Sequence, residues 1–133
     1  MTLKEIRWKQ RFENFRKAYA QFESAVLAYK DLNRLELEGM IKRFEYTFEL
    51  AWKTLKDYLE AEGVEASFPR EVIKAAFQYN VIEDGETWME MLESRNLMVH
   101  TYSEERFLSV VTKVVSFYYP AITQVLRYLE GQL

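Results

Sequence analysis

The chain has no cysteine, one histidine, two prolines and four glycines in 133 residues. Without cysteine there is no disulfide, no thiol nucleophile and no zinc–thiolate site. A lone histidine leaves too few imidazole ligands for a dedicated transition-metal centre. Neither a metal nor a cofactor is therefore expected. No apolar run approaches the ~18 residues that a membrane span needs. The opening Met1-Thr2-Leu3-Lys4-Glu5-Ile6 lacks the apolar core of a signal peptide. A cytoplasmic protein with no membrane contact is the expectation. Charge of one sign is not in excess either: the net charge is −3, so the molecule as a whole does not attract nucleic acid. An RNA contact would need a local basic cluster. Lys4, Arg7, Lys9, Arg11, Arg16 and Lys17 are the candidate, and a solvated helix face is the simpler account of them.

Also missing are a P-loop, GxGxxG, HExxH and the Gly-Ser-x-Ser of nucleotidyltransferases. What the chain does have is apolar and aromatic surface: 49% of residues are hydrophobic and 16% aromatic. That composition rules out disorder and suits a single domain over residues 1–133 with one core. Scarce proline and glycine favour helices. Trp8, Phe12, Phe15, Tyr19, Phe22, Val26 and Tyr29 alternate spacings of four and three, the pattern of a long amphipathic helix in a bundle. Lys30 to Glu36 reads as a connection. A second helix is predicted from Leu37 to Glu62, ending at Gly63, with Ile41, Phe44, Phe48, Ala51, Leu55 and Tyr58 as its core stripe. Tyr46, Leu50, Trp52 and Leu59 spread apolar surface over its other faces, as in a central helix or one at an oligomer interface. Glu45 and Glu49 stand at i and i+4, a spacing that suits a hard cation or, with Lys53, an exposed salt-bridge ladder.

Pro69 opens a short third helix to about Tyr79, stopped near Asn80. A fourth is predicted over Glu86–Val99 and a last over Glu104–Glu130, with Thr101 and Glu104 as a capping box. The last helix has a stripe of Phe107, Val111, Val114, Tyr118, Ala121, Val125 and Tyr128, and Pro120 within it should kink it. The fold class is all-α, an antiparallel up-and-down bundle of four to five helices.

The candidate site lies in Arg95-Asn96-Leu97-Met98-Val99-His100-Thr101-Tyr102. Arg95 interrupts an otherwise apolar helical stripe of Trp88, Leu92 and Val99. A guanidinium keeps its proton, so it must find anions or stay partly wet. It also suits developing negative charge on a phosphoryl group, and His100 can move a proton near neutral pH. Together they point to chemistry on a phosphodiester. The same letters also describe an Arg95 paired with a core glutamate, Glu45 or Glu49, beside a histidine at a helix end. Tyr102, two residues past the histidine, could stack a base or hold a phosphate.

Arg95-x4-His100-x-Tyr102 matches the RX4HXY form of the HEPN motif (higher eukaryotes and prokaryotes nucleotide-binding domain). Arg43 to Lys53, Pro69 to Phe77 and the Asp84-Gly85 turn leading to Trp88 resemble signatures of one branch, the nucleotidyltransferase substrate-binding protein family. The similarity runs from about Trp8 to Leu129. It implies an up-and-down bundle, usually dimeric, working with a separately encoded minimal nucleotidyltransferase. In HEPN toxin–antitoxin pairs the HEPN chain is a metal-independent endoribonuclease, neutralised by AMP addition to the motif tyrosine. An older reading of the branch is a non-catalytic subunit that presents substrate. The resemblance therefore implies Arg95 and His100 as catalytic residues, and Tyr102 and Asn96 as modification or substrate-binding residues, with RNA or a nucleotide as the ligand.

Overall fold

In a computed structural model the described residues are 1–95 and 103–133, and among them the regular structure is helical throughout. Helix α1 spans Leu3–Leu27, opened by Thr2, whose hydroxyl accepts from the Glu5 N–H at 3.1 Å. Its aromatic seam is buried from Trp8 to Val26 as predicted. Tyr29 is the exception. It begins a short 3₁₀ turn, Tyr29–Asp31, and is only partly buried.

Helix α2 spans Arg34–Ala61 and starts three residues before the predicted Leu37. The reason is local. Asn33 accepts from the Glu36 N–H at 2.9 Å and the Glu36 side chain accepts from the Asn33 N–H at 3.0 Å, a reciprocal cap inside the segment read as a connection. Its predicted core stripe is buried throughout. Trp52 and Leu59 are buried as well, so most of the apolar surface on its other faces is covered within the chain, while Tyr46 stays 59% exposed.

Helix α3 spans Pro69–Gln78 with proline in its first turn, and α4 spans Gly85–Ser94. Asp84 caps α4, accepting from the Thr87 N–H at 3.1 Å and its hydroxyl at 2.6 Å. Arg95 is its C-cap, and the remainder of the fourth helix predicted to Val99 lies outside the described residues. Helix α5 spans Glu104–Lys113 and is capped by Ser103, whose hydroxyl accepts from the Arg106 N–H at 3.1 Å; Thr101, the cap predicted with Glu104, lies outside the described residues.

One π-helical turn, Val114–Tyr118, joins α5 to α6, which spans Tyr119–Glu130. Pro120 cannot donate to the carbonyl one turn back, and its ring crowds that carbonyl. A wider turn just before it relieves the clash. The turn also shifts the phase of the buried stripe. Beyond it the predicted Ala121 and Val125 are buried together with Ile122, Leu126 and Leu129, and the predicted Tyr128 is only partly so.

Most of the largest buried side chains are aromatic. Phe44 packs on Phe22 at 6.0 Å between ring centroids, on Phe48 at 6.2 Å and on Tyr118 at 5.2 Å, and Phe48 meets Trp88 at 5.7 Å. These contacts bind α1, α2, α4 and the π turn into one cluster, against which α4 presents its last residues. No described helix is long and apolar enough to cross a membrane.

Candidate functional site

The elements around the motif stretch are fixed by α2. At the end of α4, Arg95 Nη1 donates to Glu49 Oε1 at 2.6 Å. Trp52 Nε1 donates to the other oxygen of the same carboxylate at 2.9 Å. Glu49 is thereby held from two sides, and its orientation fixes the guanidinium. At the start of α5, Glu104 accepts from Arg34, and the Arg34 guanidinium lies 3.6 Å from the centroid of the Phe107 ring. Both flanks of residues 96–102 are thus tied to one helix. Arg34 and Glu49 are 15 positions apart on α2, or about 22 Å at ~1.5 Å per residue.

Between these two ties lies an open cavity of about 400 Å³, lined by Lys42, Glu45, Tyr46, Glu49 and Arg95. Its charged groups are only partly satisfied by one another. Lys42 approaches Glu45 at 3.4 Å with 83% of its side chain exposed. Arg95 and Glu49 retain 31% and 38% side-chain exposure, so their ion pair is wet on one side. Tyr46 supplies an exposed phenol ring between the charges. The wall thus carries a guanidinium and an ammonium, each paired with a carboxylate, beside an exposed aromatic ring.

α4 is held from behind by the end of α5 and the π turn. Ser94 and Tyr118 share a hydrogen bond of 3.0 Å between hydroxyls, and Lys113 donates to Glu90 at 2.7 Å. Burial pushes the Tyr118 phenol above its usual range, so it stays protonated and able to donate. The hydrogen bond to Glu90 raises the Lys113 ammonium in turn.

Of the sequence-predicted site residues, the structure places Arg95 at the cavity. Asn96, His100 and Tyr102 lie outside the described residues. Between Glu45 and Glu49, Glu49 is the partner of Arg95. The ladder of Glu45, Glu49 and Lys53 does not form, since Glu45 turns to Lys42 and Lys53 lies 6.0 Å from the Trp52 ring. Among the described residues no group of three potential ligands stands close enough to hold a metal ion. Half of the basic cluster of α1 is engaged in ion pairs: Arg11 pairs with the buried Asp57 at 2.6 Å, Arg16 with Glu13 at 2.5 Å, and Arg7 approaches Glu60 at 3.9 Å. Lys42 and Tyr46 were not singled out as site residues by sequence. Their signal was a shared face with Glu49 at spacings of four and three.

Fold and site together define a small helical bundle that presents an arginine from the end of one helix over an open, charged cavity. The chain matches the family model "Nucleotidyltransferase substrate binding protein like" over residues 10–131 and belongs to that family. It is similar to the probable ribonuclease HepT of Haemophilus influenzae, at 24% identity with 75% of this chain and 79% of that protein covered. A crystal structure of a Thermus thermophilus protein superposes with a TM-score of 0.73 at 30% identity, covering 89% of this chain and 97% of that one. The Haemophilus influenzae protein HI0074, described as having the fold of a substrate-binding domain of a nucleotidyltransferase, superposes with a TM-score of 0.75 at 20% identity over 90% and 98%.

Proposed function

We propose that the chain is an endoribonuclease that needs no metal and is regulated by a separately encoded minimal nucleotidyltransferase. The observation that carries this reading is the placement of Arg95. It is oriented by Glu49 but still wet, at an open cavity that it shares with Lys42 and the exposed Tyr46 ring. The Glu49 contact engages one of a guanidinium's five N–H donors. The similarity to a probable ribonuclease and the Arg95-x4-His100-x-Tyr102 motif support the same reading.

Cleavage of RNA requires a base for the 2′-hydroxyl, an acid for the leaving 5′-oxygen and a cation for the phosphorane. The 2′-oxygen attacks phosphorus, the bond to the 5′-oxygen breaks, and a 2′,3′-cyclic phosphate and a 5′-hydroxyl result. One chain carries one histidine, so His100 serves both proton transfers only when two chains meet and each supplies one. A homodimer pairing two sets of Arg95 and His100 meets that need. Asn96 and Tyr102 contact substrate. Tyr102 is also the acceptor for AMP: its phenolic oxygen attacks the α-phosphorus of ATP on the nucleotidyltransferase, and pyrophosphate leaves. The bulky anion beside His100 then blocks the site.

The test is incubation of purified protein with total RNA, with and without chelator, beside a His100→Ala control. Cleavage that survives the chelator and is lost in the variant is expected. Cleavage by His100→Ala at the wild-type level overturns the catalytic reading. Intact-mass analysis after incubation with the nucleotidyltransferase and ATP should show added AMP, absent from Tyr102→Phe. A second reading, a non-catalytic subunit presenting substrate to the nucleotidyltransferase, is favoured by the Arg95–Glu49 pair itself, since such a pair also serves a purely structural tie.

A further inference from the structure

Away from Arg95, three helices end around one pocket. Helices α2 and α3 finish in the same way. After α2, Gly63 takes a left-handed conformation at φ 85°, its N–H donates to the Glu60 carbonyl at 3.0 Å, and the Val64 N–H donates to the Leu59 carbonyl at 2.8 Å. After α3, Asn80 takes φ 64°, its N–H donates to the Phe77 carbonyl at 3.1 Å, and the Val81 N–H donates to the Ala76 carbonyl at 2.8 Å. Both are Schellman motifs, in which the residue after the left-handed one folds back onto the helix. The folded-back residues, Val64 and Val81, line the pocket together with the two C-caps, Glu62 and Tyr79. Tyr128, in the last turn of α6, and Tyr58 complete it. The volume is about 260 Å³, below the ~300 Å³ at which sites for drug-sized molecules begin.

The lining has one electrostatic sign. Glu62 is a carboxylate, and no lysine or arginine is among the residues that form the pocket. The C-terminal ends of α2, α3 and α6 meet there, each carrying partial negative charge on its last carbonyls. Tyr58, Tyr79 and Tyr128 bring three aromatic rings to the lining, and the face of such a ring carries negative charge density. Tyr58 and Tyr128 pack edge to face at 85° with centroids 6.1 Å apart, Tyr58 being 6% exposed and Tyr128 more open. Valine at the base offers no hydrogen bond and so suits alkyl groups.

We propose that this pocket is an aromatic cage for an organic cation, an alkylated ammonium or a guanidinium head group, carried by a small molecule or by a partner's side chain. Ring faces at right angles attract a cation that a single ring would hold weakly, and Glu62 at the rim adds a counter-charge. An anion would meet a carboxylate and three negative helix ends. A neutral alkyl group would gain contact with the valines and nothing from the charge. The proposal is independent of ribonuclease activity.

The test is titration of full-length protein, with ¹³C-labelled valine methyls, by choline and by its neutral isostere 3,3-dimethylbutan-1-ol. Choline should give saturable shifts of the Val64 and Val81 methyls, with affinity roughly fivefold or more above the isostere's. N-acetyl-arginine amide in a parallel titration distinguishes a side-chain guanidinium from a small quaternary ammonium, and tighter binding of either cation than of the isostere supports the proposal. Glu62→Gln, at an exposed position, should weaken cation binding by about two- to tenfold and leave the isostere unchanged, and Tyr79→Ala, also exposed, should weaken the cation by more than it weakens the isostere. Equal affinity for charged and neutral probes, or no saturable shift with any, overturns it.

Discussion

Truncation of Arg95 to alanine separates a structural tie from a catalytic cation. Removing one partner of a buried ion pair strands a charge and costs about 3–5 kcal/mol. Exposed pairs are worth about 0.2–1 kcal/mol. Here the two side chains retain 31% and 38% of their exposure, and Trp52 continues to donate to Glu49 at 2.9 Å when Arg95 is gone. The carboxylate left behind is therefore both solvated and hydrogen-bonded, and the expected loss is about 1 kcal/mol. With a urea dependence of ~1–3 kcal/mol per molar for small proteins, the unfolding midpoint should fall by roughly 0.5 M. The melting temperature should fall by about 3–5 °C. Cleavage of RNA should fall by on the order of a hundredfold or more, the typical loss for one electrostatic stabiliser. Since Arg95 and His100 serve one transition state, the double variant should be little slower than either single one. Urea unfolding and RNA cleavage on the same preparations decide the matter. A stability loss of ~3 kcal/mol or more would show that Arg95 is a packing tie. Cleavage at the wild-type level in Arg95→Ala would remove the residue from the chemistry.

Three further outcomes follow from the packing. Arg11→Ala should cost about 2 kcal/mol, because it strands Asp57, whose side chain is 6% exposed, while partial exposure of Arg11 itself keeps the loss below that of a fully buried pair; Arg7→Ala should cost under ~0.5 kcal/mol, and equal losses in denaturant titration would refute the distinction. Phe44→Ala empties the point where Phe22, Phe48 and Tyr118 meet and should cost about 3–5 kcal/mol; a drop under ~1 kcal/mol in thermal unfolding would mean that the core repacks. Tyr119 donates to Glu23 and holds its carboxyl below the ordinary value of 4.5, so the stability it contributes is fully present above that value and is lost as pH falls through the lower folded one. Glu23→Gln should therefore destabilise at neutral pH and converge with wild type in acid; a gap that persists unchanged into strong acid would contradict the linkage.

Much of this architecture was legible in the sequence because helical periodicity is a local property. The seam from Trp8 to Val26, the stripe from Ile41 to Tyr58, and the stops at Gly63 and Asn80 all follow from residue spacing and backbone preference. The cap at Asn33 was also written there, as Asn33-x-x-Glu36, but with asparagine in the place where serine or threonine signals more plainly. Tyr128 was misplaced because a strict repeat cannot register a change of helical phase at Val114–Tyr118. Half of the site depended on tertiary contacts. Arg95 stands out as a charge in an apolar stripe, yet its choice of Glu49 over Glu45 is settled only when α4 docks against α2. Likewise nothing in spacing says that Tyr46 stays exposed while Trp52, six residues on, is buried and bonded to Glu49.

The π turn before Pro120 has an evolutionary corollary. A turn of that kind holds one residue more than the α-helix on either side needs, so it works as a stored insertion. Relatives that lack proline at this position should also lack one residue between the counterparts of Lys113 and Tyr119, and an alignment that places no gap there will pair the wrong faces of the final helix. The two sides of the insertion answer to different neighbours: Lys113 and Tyr118 reach α4 beside Arg95, while Tyr119 and Thr123 reach Tyr19 on α1. Substitutions on one side can then accumulate without rotating the other, and the end of α4 can change its chemistry while the base of the bundle keeps its packing.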